Sequence, residues 1–205
     1  MPDEIQVHVI DDDVAVRDSL GFLFAAAGLK AQLYESPLAF LDIAPGLEGG
    51  CVVTDVRMPE MSGLDLVRRL QAVESMLPVV VITGHGDVPL AVEAMKLGAV
   101  DFIEKPFEDE VLLAAVRTAL KGGRADGASE NDPDGRLSQL SLRERQVLEG
   151  LVRGHANKII ARDLGISPRT VEIYRAKVMT KMGAETFADL IRLALSAGVV
   201  GVRAD

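Results

Sequence analysis

The chain has 205 residues, of which 48% are hydrophobic, and a formal net charge of −9 at pH 7. Its apolar runs fall far short of the roughly 18 residues that a membrane span requires, and its first residues are acidic rather than basic and apolar, so we expect a soluble, cytoplasmic protein without membrane contact. The single cysteine, Cys51, excludes an intramolecular disulfide and is predicted to be buried and inert.

Charge is distributed unevenly along the chain. Residues 1–121 carry a net charge of −11, whereas residues 137–205 carry +4. Between them, residues 122–136 contain four glycines, a proline and no large apolar residue, which is typical of a linker. We therefore predict an acidic domain over 1–121, a linker over 122–136 and a basic domain over 137–205.

Apolar and amphipathic segments alternate before the linker. The predicted strands are 5–10, 30–34, 51–54, 78–83 and 100–105, and the predicted helices are 14–27, 36–42, 63–73, 87–97 and 109–121. Five such units predict an α/β fold with a five-stranded, parallel, doubly wound sheet. Ligands of such sheets bind beyond the carboxyl ends of the strands.

Chemically active side chains follow the predicted strands. They are Asp11, Asp12 and Asp13 after the first strand, Asp55 after the third, Thr83 after the fourth and Lys105 after the fifth. Clustered carboxylates repel each other unless a cation offsets them, so Asp11, Asp12 and Asp55 predict a Mg²⁺ site. Thr83 and Lys105 would then neutralise a phosphoryl group beside the metal, with Asp55 as its acceptor.

Other interpretations of these residues remain open. Asp13 is placed to cap the helix that begins at Val14, and it can still contact a metal-bound water. His85, between two glycines, is interpreted as a loop residue rather than a metal ligand. A Mg²⁺-dependent phosphohydrolase would share the carboxylates, but it usually needs a second acid or base beside the nucleophile, and DVRMPEMSG offers none two residues after Asp55.

Four motifs, VIDDD, TDVRMPEMSGLDL, VVVITGHGD and VDFIEKPF, occur in this order at predicted strand ends. Together they resemble the receiver domain of two-component response regulators, over residues 3–121. The resemblance implies that Asp55 accepts a phosphoryl group from a sensor histidine kinase, that Thr83 and Phe102 form a switch pair, and that Lys105 stabilises the phosphoryl group. It also implies a Mg²⁺ site with the ligands Asp11, Asp12, Asp55 and the backbone carbonyl of Arg57.

The chain after the linker is predicted to be helical throughout. Ser141 and Glu144 have the spacing of a capping box at the start of one helix. A short helix follows, then a break at Gly165, then a long helix capped by Ser167 with Pro168 at its first position. Two helices joined by a turn that contains glycine predict a helix-turn-helix, whose second helix enters the major groove of DNA.

The long helix has one apolar stripe, predicted to be buried, formed by Val171, Tyr174, Val178 and Met182. Residues 158–181 hold six Lys or Arg and two acids, so this basic region, beginning with Lys158, can neutralise phosphates. A merely solvated charged helix is the alternative. The segment resembles the LuxR-type helix-turn-helix domain, over residues 137–202. That resemblance implies base contacts at Glu172, Ile173 and Ala176 and phosphate contacts at Arg169, Thr170, Arg175, Lys177 and Lys181.

A receiver followed by a LuxR-type domain is similar to the NarL/FixJ group of response regulators, and most similar to its nitrogen-fixation regulators. That resemblance implies a transcription activator rather than an enzyme, with a FixL-like kinase, promoter DNA and RNA polymerase as partners. It also implies dimerisation through the phosphorylated receiver. The last predicted helix, 186–197, has apolar faces that fit both the core of its domain and a dimer contact. A constitutive DNA binder with a structural α/β domain is the remaining alternative.

Overall fold

The computed structural model describes residues 6–47, 49–84, 88–121 and 133–199. The chain divides into two compact units, one containing a parallel sheet and the other containing the last five helices. The predicted fold class is thereby confirmed. Most of the predicted linker, residues 122–132, and the predicted loop residue His85 lie outside the described residues.

Five parallel strands form the sheet, in the spatial order β2-β1-β3-β4-β5. Their bounds are β1 Val7–Ile10, β2 Ala31–Tyr34, β3 Cys51–Asp55, β4 Val79–Thr83 and β5 Asp101–Glu104. Every residue of β1, β3 and β4 is buried, which explains their continuous apolar sequences, because a central parallel strand is covered on both faces. Four of the predicted strands begin one or two residues earlier than those in the structure, and the third begins at the same residue, Cys51.

Helices connect these strands, with the bounds α1 Val14–Ala26, α2 Pro37–Leu41, α3 Gly63–Ala72, α4 Val88–Lys96 and α5 Asp109–Leu120. Asp13 caps α1 by accepting from the Ala15 N–H at 2.8 Å, as predicted. Ser62 caps α3 in the same way. Caps made by local side chains explain why the predicted helix bounds agree with the structure within one residue at most ends.

The core of the sheet unit is formed by inward residues of the strands and by apolar residues of α1 and α5. Phe24, Leu112 and Val116 are fully buried there. Cys51 is also fully buried, and burial raises the pKa of its thiol to about 12. The thiolate is therefore absent at neutral pH, which agrees with the predicted inert role.

The second unit contains the last five helices, α6 Pro133–Ser138, α7 Leu142–Val152, α8 Asn157–Leu164, α9 Pro168–Met182 and α10 Phe187–Ser196. The capping box of Ser141 and Glu144 is present at the start of α7. One difference concerns α6, which begins inside the segment predicted as linker. Pro133 suits the first turn of a helix, and Leu137 buries its side chain, so the packed unit extends further toward the linker than composition indicates.

None of the helices in these four described ranges is long and apolar enough to cross a membrane.

Candidate functional site

An ammonium group bridges two carboxylates at the carboxyl edge of the sheet. The Lys105 Nζ lies 2.9 Å from Asp55 Oδ1 and 3.0 Å from Asp11 Oδ2. Ile10 of β1 and Thr54 of β3 are paired in register, so the aspartates that follow them emerge side by side. Lys105, which follows β5 and is joined to Pro106 by a cis peptide bond, reaches them from beyond β4.

The remaining oxygens of both carboxylates accept backbone hydrogen bonds. Arg57 N–H donates to Asp55 Oδ2 at 2.6 Å, and Asp13 N–H donates to Asp11 Oδ1 at 2.9 Å. Arg17 donates from its guanidinium to the Asp11 carbonyl at 2.6 Å, a contact that the sequence analysis did not predict. Both residues are buried, Asp11 with 2% and Asp55 with 8% exposure, and these backbone hydrogen bonds orient their carboxylates.

The charge of Lys105 follows from its surroundings. Burial alone lowers the pKa of its amine, but hydrogen bonds to Asp55 and Asp11 and their negative charges outweigh burial, so the pKa lies above the usual value for lysine. The side chain is therefore a cation at neutral pH. It offsets the repulsion between the two carboxylates and remains available to neutralise further negative charge.

Gly63, the first residue of α3, lies against the Asp55 backbone, a close approach that its position in the sequence did not indicate. A Cβ at this position would lie 2.1 Å from the Asp55 carbonyl oxygen. The Gly63 N–H donates to the Val56 carbonyl at 3.0 Å, which fixes the loop between β3 and α3. A glycine that follows a strand-end acid by eight residues is a weak signal in sequence, because only the folded loop reveals this close approach.

The structure brings together two of the three predicted acidic metal ligands. Asp11 and Asp55 share Lys105, whereas Asp12 is exposed. Across the described part of the chain, no group of three His, Cys, Asp or Glu side chains converges closely enough to hold a metal ion. Mg²⁺ commonly uses one or two carboxylates with water and other oxygens, so the Asp11 and Asp55 pair still suits it.

The predicted switch residues lie on neighbouring strands. Thr83 ends β4 and is completely buried, and Phe102 is half-buried on β5, where it pairs in register with Val81. Thr83 is one residue beyond Ile82, which pairs with Asp55. The placement of Thr83 beside the acceptor strand is thus compatible with that role.

The predicted recognition helix is α9, which follows α8 across a turn. Gly165 in this turn has φ +66°, a conformation that favours glycine, and Ser167 caps α9 with Pro168 in its first turn. Val171 and Val178 of the predicted apolar stripe are fully buried, as is Met182. Tyr174 was predicted to be buried with them, but it is only half-buried, because it lies at the edge of the stripe.

Several of the residues predicted to contact phosphate have partners inside the helical unit. The Arg175 guanidinium lies 4.3 Å from the centre of the Phe187 ring, and Lys177 Nζ lies 5.9 Å from the centre of the Tyr174 ring. Lys181 donates to Glu144 Oε2 at 2.7 Å and to the Gln139 carbonyl at 3.2 Å. The ammonium of Lys181 therefore belongs to an ion pair inside its own domain, while its predicted contact with phosphate stays a prediction.

The other predicted DNA contacts lie mainly on the surface. The exposed residues are Lys158, Arg169, Glu172, Ile173, Ala176 and Lys177. Thr170 is half-buried, with its hydroxyl 2.8 Å from that of Ser167. One face of α9 is therefore accessible, and Arg169 and Lys177 supply it with positive charge.

Comparison with protein families agrees with the two units. A family model described as the response regulator receiver domain matches residues 7–117. A second model, described as bacterial regulatory proteins of the luxR family, matches residues 138–194. Both halves of the chain therefore match the kinds of domain that their motifs predict.

Individual relatives match along nearly the whole chain. A transcriptional regulatory protein FixJ from Bradyrhizobium diazoefficiens is 54% identical over 197 residues, which is 95% of this chain and 96% of the relative. A protein of the same name from Azorhizobium caulinodans is 57% identical over 202 residues, 97% of this chain and 96% of the relative. The crystal structure of full-length FixJ from B. japonicum has 53% identity and a TM-score of 0.55, covering 95% of this chain and 98% of the other.

Proposed function

Because the chain belongs to the two-component response regulators that carry a LuxR-type DNA-binding domain, and is thus a transcription regulator rather than an enzyme, we propose that phosphorylation of Asp55 switches its activity. The observation that carries this proposal is the Lys105 ammonium, which joins Asp55 to Asp11. A sheet edge with one acceptor carboxylate and one resident cation is suited to hold a phosphoryl group.

The partner of the receiver is a histidine kinase, whose phosphohistidine supplies the phosphoryl group. An Asp55 carboxylate oxygen attacks the phosphorus, the P–N bond breaks, and the imidazole leaves with that electron pair, so Asp55 becomes an acyl phosphate. Lys105 then turns from the carboxylates to the new phosphoryl oxygens, whose negative charge it offsets.

Receiver domains generally use Mg²⁺ for this reaction, and the residues that would hold it here are Asp11, Asp12, Asp55 and the backbone carbonyl of Arg57. The ion supplies positive charge beside the phosphoryl oxygens when it is bound. Asp11 and Asp55 are already oriented by backbone N–H groups, which lowers the cost of assembling the site. Asp12, which is exposed, would be the third acidic ligand.

The phosphoryl group would be coupled to dimerisation through Thr83 and Phe102. The Thr83 hydroxyl moves toward the phosphoryl oxygens, and the half-buried Phe102 ring moves inward behind it. This rearrangement favours a receiver surface on α4 and β5 that pairs with a second copy. Two linked DNA-binding domains then bind two half-sites with a higher effective concentration than one.

In the DNA complex, Lys158, Arg169, Thr170 and Lys177 would hold phosphates, while Glu172, Ile173 and Ala176 meet base edges. Exposure supports these assignments for all except the half-buried Thr170. We assign Arg175 and Lys181 chiefly to positioning α9, because Phe187 and Glu144 already engage their charges. Phosphate contacts set register and orientation, whereas base contacts set sequence preference.

Two relatives bear the name transcriptional regulatory protein FixJ, and this supports a role for the chain as a cytoplasmic activator of nitrogen-fixation genes. Its kinase would then be FixL-like, and activation would proceed through RNA polymerase at the bound promoter. The role in nitrogen fixation goes beyond family membership. It is tested by identifying the promoters that the protein occupies in cells.

The central experiment compares wild type with Asp55→Asn, at fixed salt, before and after incubation with Mg²⁺ and acetyl phosphate. Molecular mass and DNA affinity are measured together. Asp18→Asn is the matched control, because it removes an exposed carboxylate from α1 by the same chemical change. We expect wild type and the control to dimerise and gain affinity, and Asp55→Asn to do neither. Equal behaviour of all three proteins would mean that Asp55 does not control the DNA-binding domain.

A further inference from the structure

The exposed face of α9 has an unusual composition. Arg169, Glu172, Ile173, Ala176 and Lys177 are all exposed. An α-helix has 3.6 residues per turn, so these five positions lie on the side of α9 opposite the buried residues Val171, Val178 and Met182. If α9 bound only phosphates, the positive charges of Arg169 and Lys177 would contribute to binding, whereas the other three side chains would not.

Glu172 is the only acid in α9, whose other charged residues are Arg169, Arg175, Lys177 and Lys181. A carboxylate next to the DNA backbone is repelled by phosphates and weakens binding to every sequence alike. It also contributes nothing to the core, since it is exposed. A carboxylate in this place favours DNA binding only where a hydrogen-bond donor meets it, and among base edges in the major groove cytosine N4 is the donor that pairs with Glu.

Ile173 is a second residue on this face that binding to phosphates does not explain, because it is apolar and exposed. Its side chain is 51% exposed, next to the small apolar Ala176 one turn later. Apolar groups gain nothing from phosphates or water, and the apolar feature of the major groove is the C5 methyl of thymine. The two side chains together form a small apolar area beside the carboxylate.

We propose that α9 reads a short element in which a cytosine lies next to thymine. Glu172 accepts a hydrogen bond from cytosine N4, and Ile173 and Ala176 contact thymine methyl groups. The span from Arg169 to Ala176 is about 10.5 Å along the helix axis, from a rise of about 1.5 Å per residue, which corresponds to about three base-pair steps. Each half-site is therefore read over roughly four base pairs. The inference rests on the proposed function, since it concerns the same DNA complex.

The first test identifies the base that Glu172 reads. Full-length wild type, treated with Mg²⁺ and acetyl phosphate, is used to select duplexes from a randomised pool, and every base of the selected half-site is then substituted singly. We expect one cytosine whose replacement weakens binding roughly 5- to 150-fold, the usual range for one base contact. In Glu172→Gln that position changes its preference from cytosine to adenine, because Gln pairs with adenine N6 and N7. A residue with only a structural role would not switch the preferred base.

The second test concerns the methyl groups. Replacing the selected thymines by deoxyuridine, which lacks only the methyl, weakens wild-type binding about fourfold for each contacted methyl. In Ile173→Ala the same replacement has a smaller effect at the thymine that Ile173 contacts, so the two changes are not additive. Lys177→Gln is the matched control, because losing a phosphate contact weakens all duplexes alike and lowers the salt dependence without changing base preference.

The outcomes separate this inference from the proposed function. If wild type selects a motif but Glu172→Gln and Ile173→Ala keep every base and methyl preference, the assignment of bases to α9 is overturned while the response-regulator function stands. If phosphorylated wild type binds all duplexes equally, the inference and the proposed promoter recognition both fail.

Discussion

The ammonium of Lys181, near the end of α9, lies 2.7 Å from the carboxylate of Glu144, in the first turn of α7. Glu144 also accepts from the Ser141 backbone N–H, also at 2.7 Å. Glu144 is only 4% exposed. One buried carboxylate therefore both caps α7 and holds α9 through Lys181. Residues 37 positions apart in sequence thereby set the orientation of α9 within its own domain.

This pair predicts a specific dependence of stability on pH. The hydrogen bond from Lys181, the Ser141 bonds and the nearby positive charge lower the pKa of Glu144 from 4.5 to about 2. A lowered pKa means that the ionised carboxylate stabilises the folded state above about pH 4.5 and that this contribution is lost as the pH falls toward 2. Glu144→Gln should therefore lower the free energy of unfolding by about 1.5 kcal/mol at pH 7, and the difference from wild type should shrink between pH 4.5 and 2.

Urea denaturation of both proteins at several pH values, followed by circular dichroism, measures this difference. Glu149→Gln is the control, since the Glu149 side chain on α7 is 40% exposed, with Arg153 3.9 Å away, and such solvent-accessible pairs contribute little. A difference between Glu144→Gln and wild type that stays constant down to pH 2 would contradict the role of the ion pair.

Gly63→Ala should disrupt the loop between β3 and α3. The new Cβ would meet the Asp55 carbonyl oxygen at 2.1 Å, and backbone atoms cannot yield as a flexible side chain does. We expect a loss of about 3 kcal/mol in stability, at the upper end for overpacking, and slower phosphorylation by acetyl phosphate. Gly46→Ala is the control, because its Cβ would meet no atom within 4 Å. Thermal denaturation distinguishes the two, and equal melting temperatures would show that the loop can move aside.

Lys105→Met should make the receiver dependent on divalent cations. Without the ammonium, Asp11 and Asp55 repel each other, and Mg²⁺ can offset their charges in its place. We expect a lower melting temperature in the absence of metal, a larger upward shift on adding Mg²⁺ than in wild type, and phosphorylation slowed at least about tenfold. Lys96→Met, an exposed lysine at the end of α4, serves as the control. An identical response of Lys105→Met and wild type to Mg²⁺ would argue against the two carboxylates as its ligands.

Arg136→Gln should weaken the end of the recognition helix. Arg136 in α6 donates to the Met182 carbonyl at 2.5 Å, where a cation also interacts favourably with the helix dipole. We expect a loss of about 1 kcal/mol in urea denaturation, and less at high salt. Arg162→Gln is the comparison, because Arg162 forms an exposed pair with its neighbour Asp163. If both variants lose the same amount, α6 does not support α9 through this contact.

The sequence alone was sufficient for the five strands, to within two residues at their starts, and for most helices, although α6 lay partly in the predicted linker. Continuous apolar segments predicted β1, β3 and β4, and Asp13 and Ser141 marked helix starts, because strands and caps depend on neighbouring residues. Motif order was also sufficient to identify the family. Tyr174 shows the limit of a periodic pattern, since spacing does not say how far the core extends around a helix.

Only the tertiary structure decided which charged groups are partners. Lys181 resembles any exposed lysine of a basic helix until α7 brings Glu144 to it, and Gly63 resembles an ordinary loop glycine until α3 packs against Asp55. Likewise, sequence places Lys105, Asp11 and Asp55 at strand ends, whereas the sheet order brings the ammonium within hydrogen-bond distance of both carboxylates. Electrostatic interactions fall with distance in space rather than in sequence, so the charges that matter here were set by the fold.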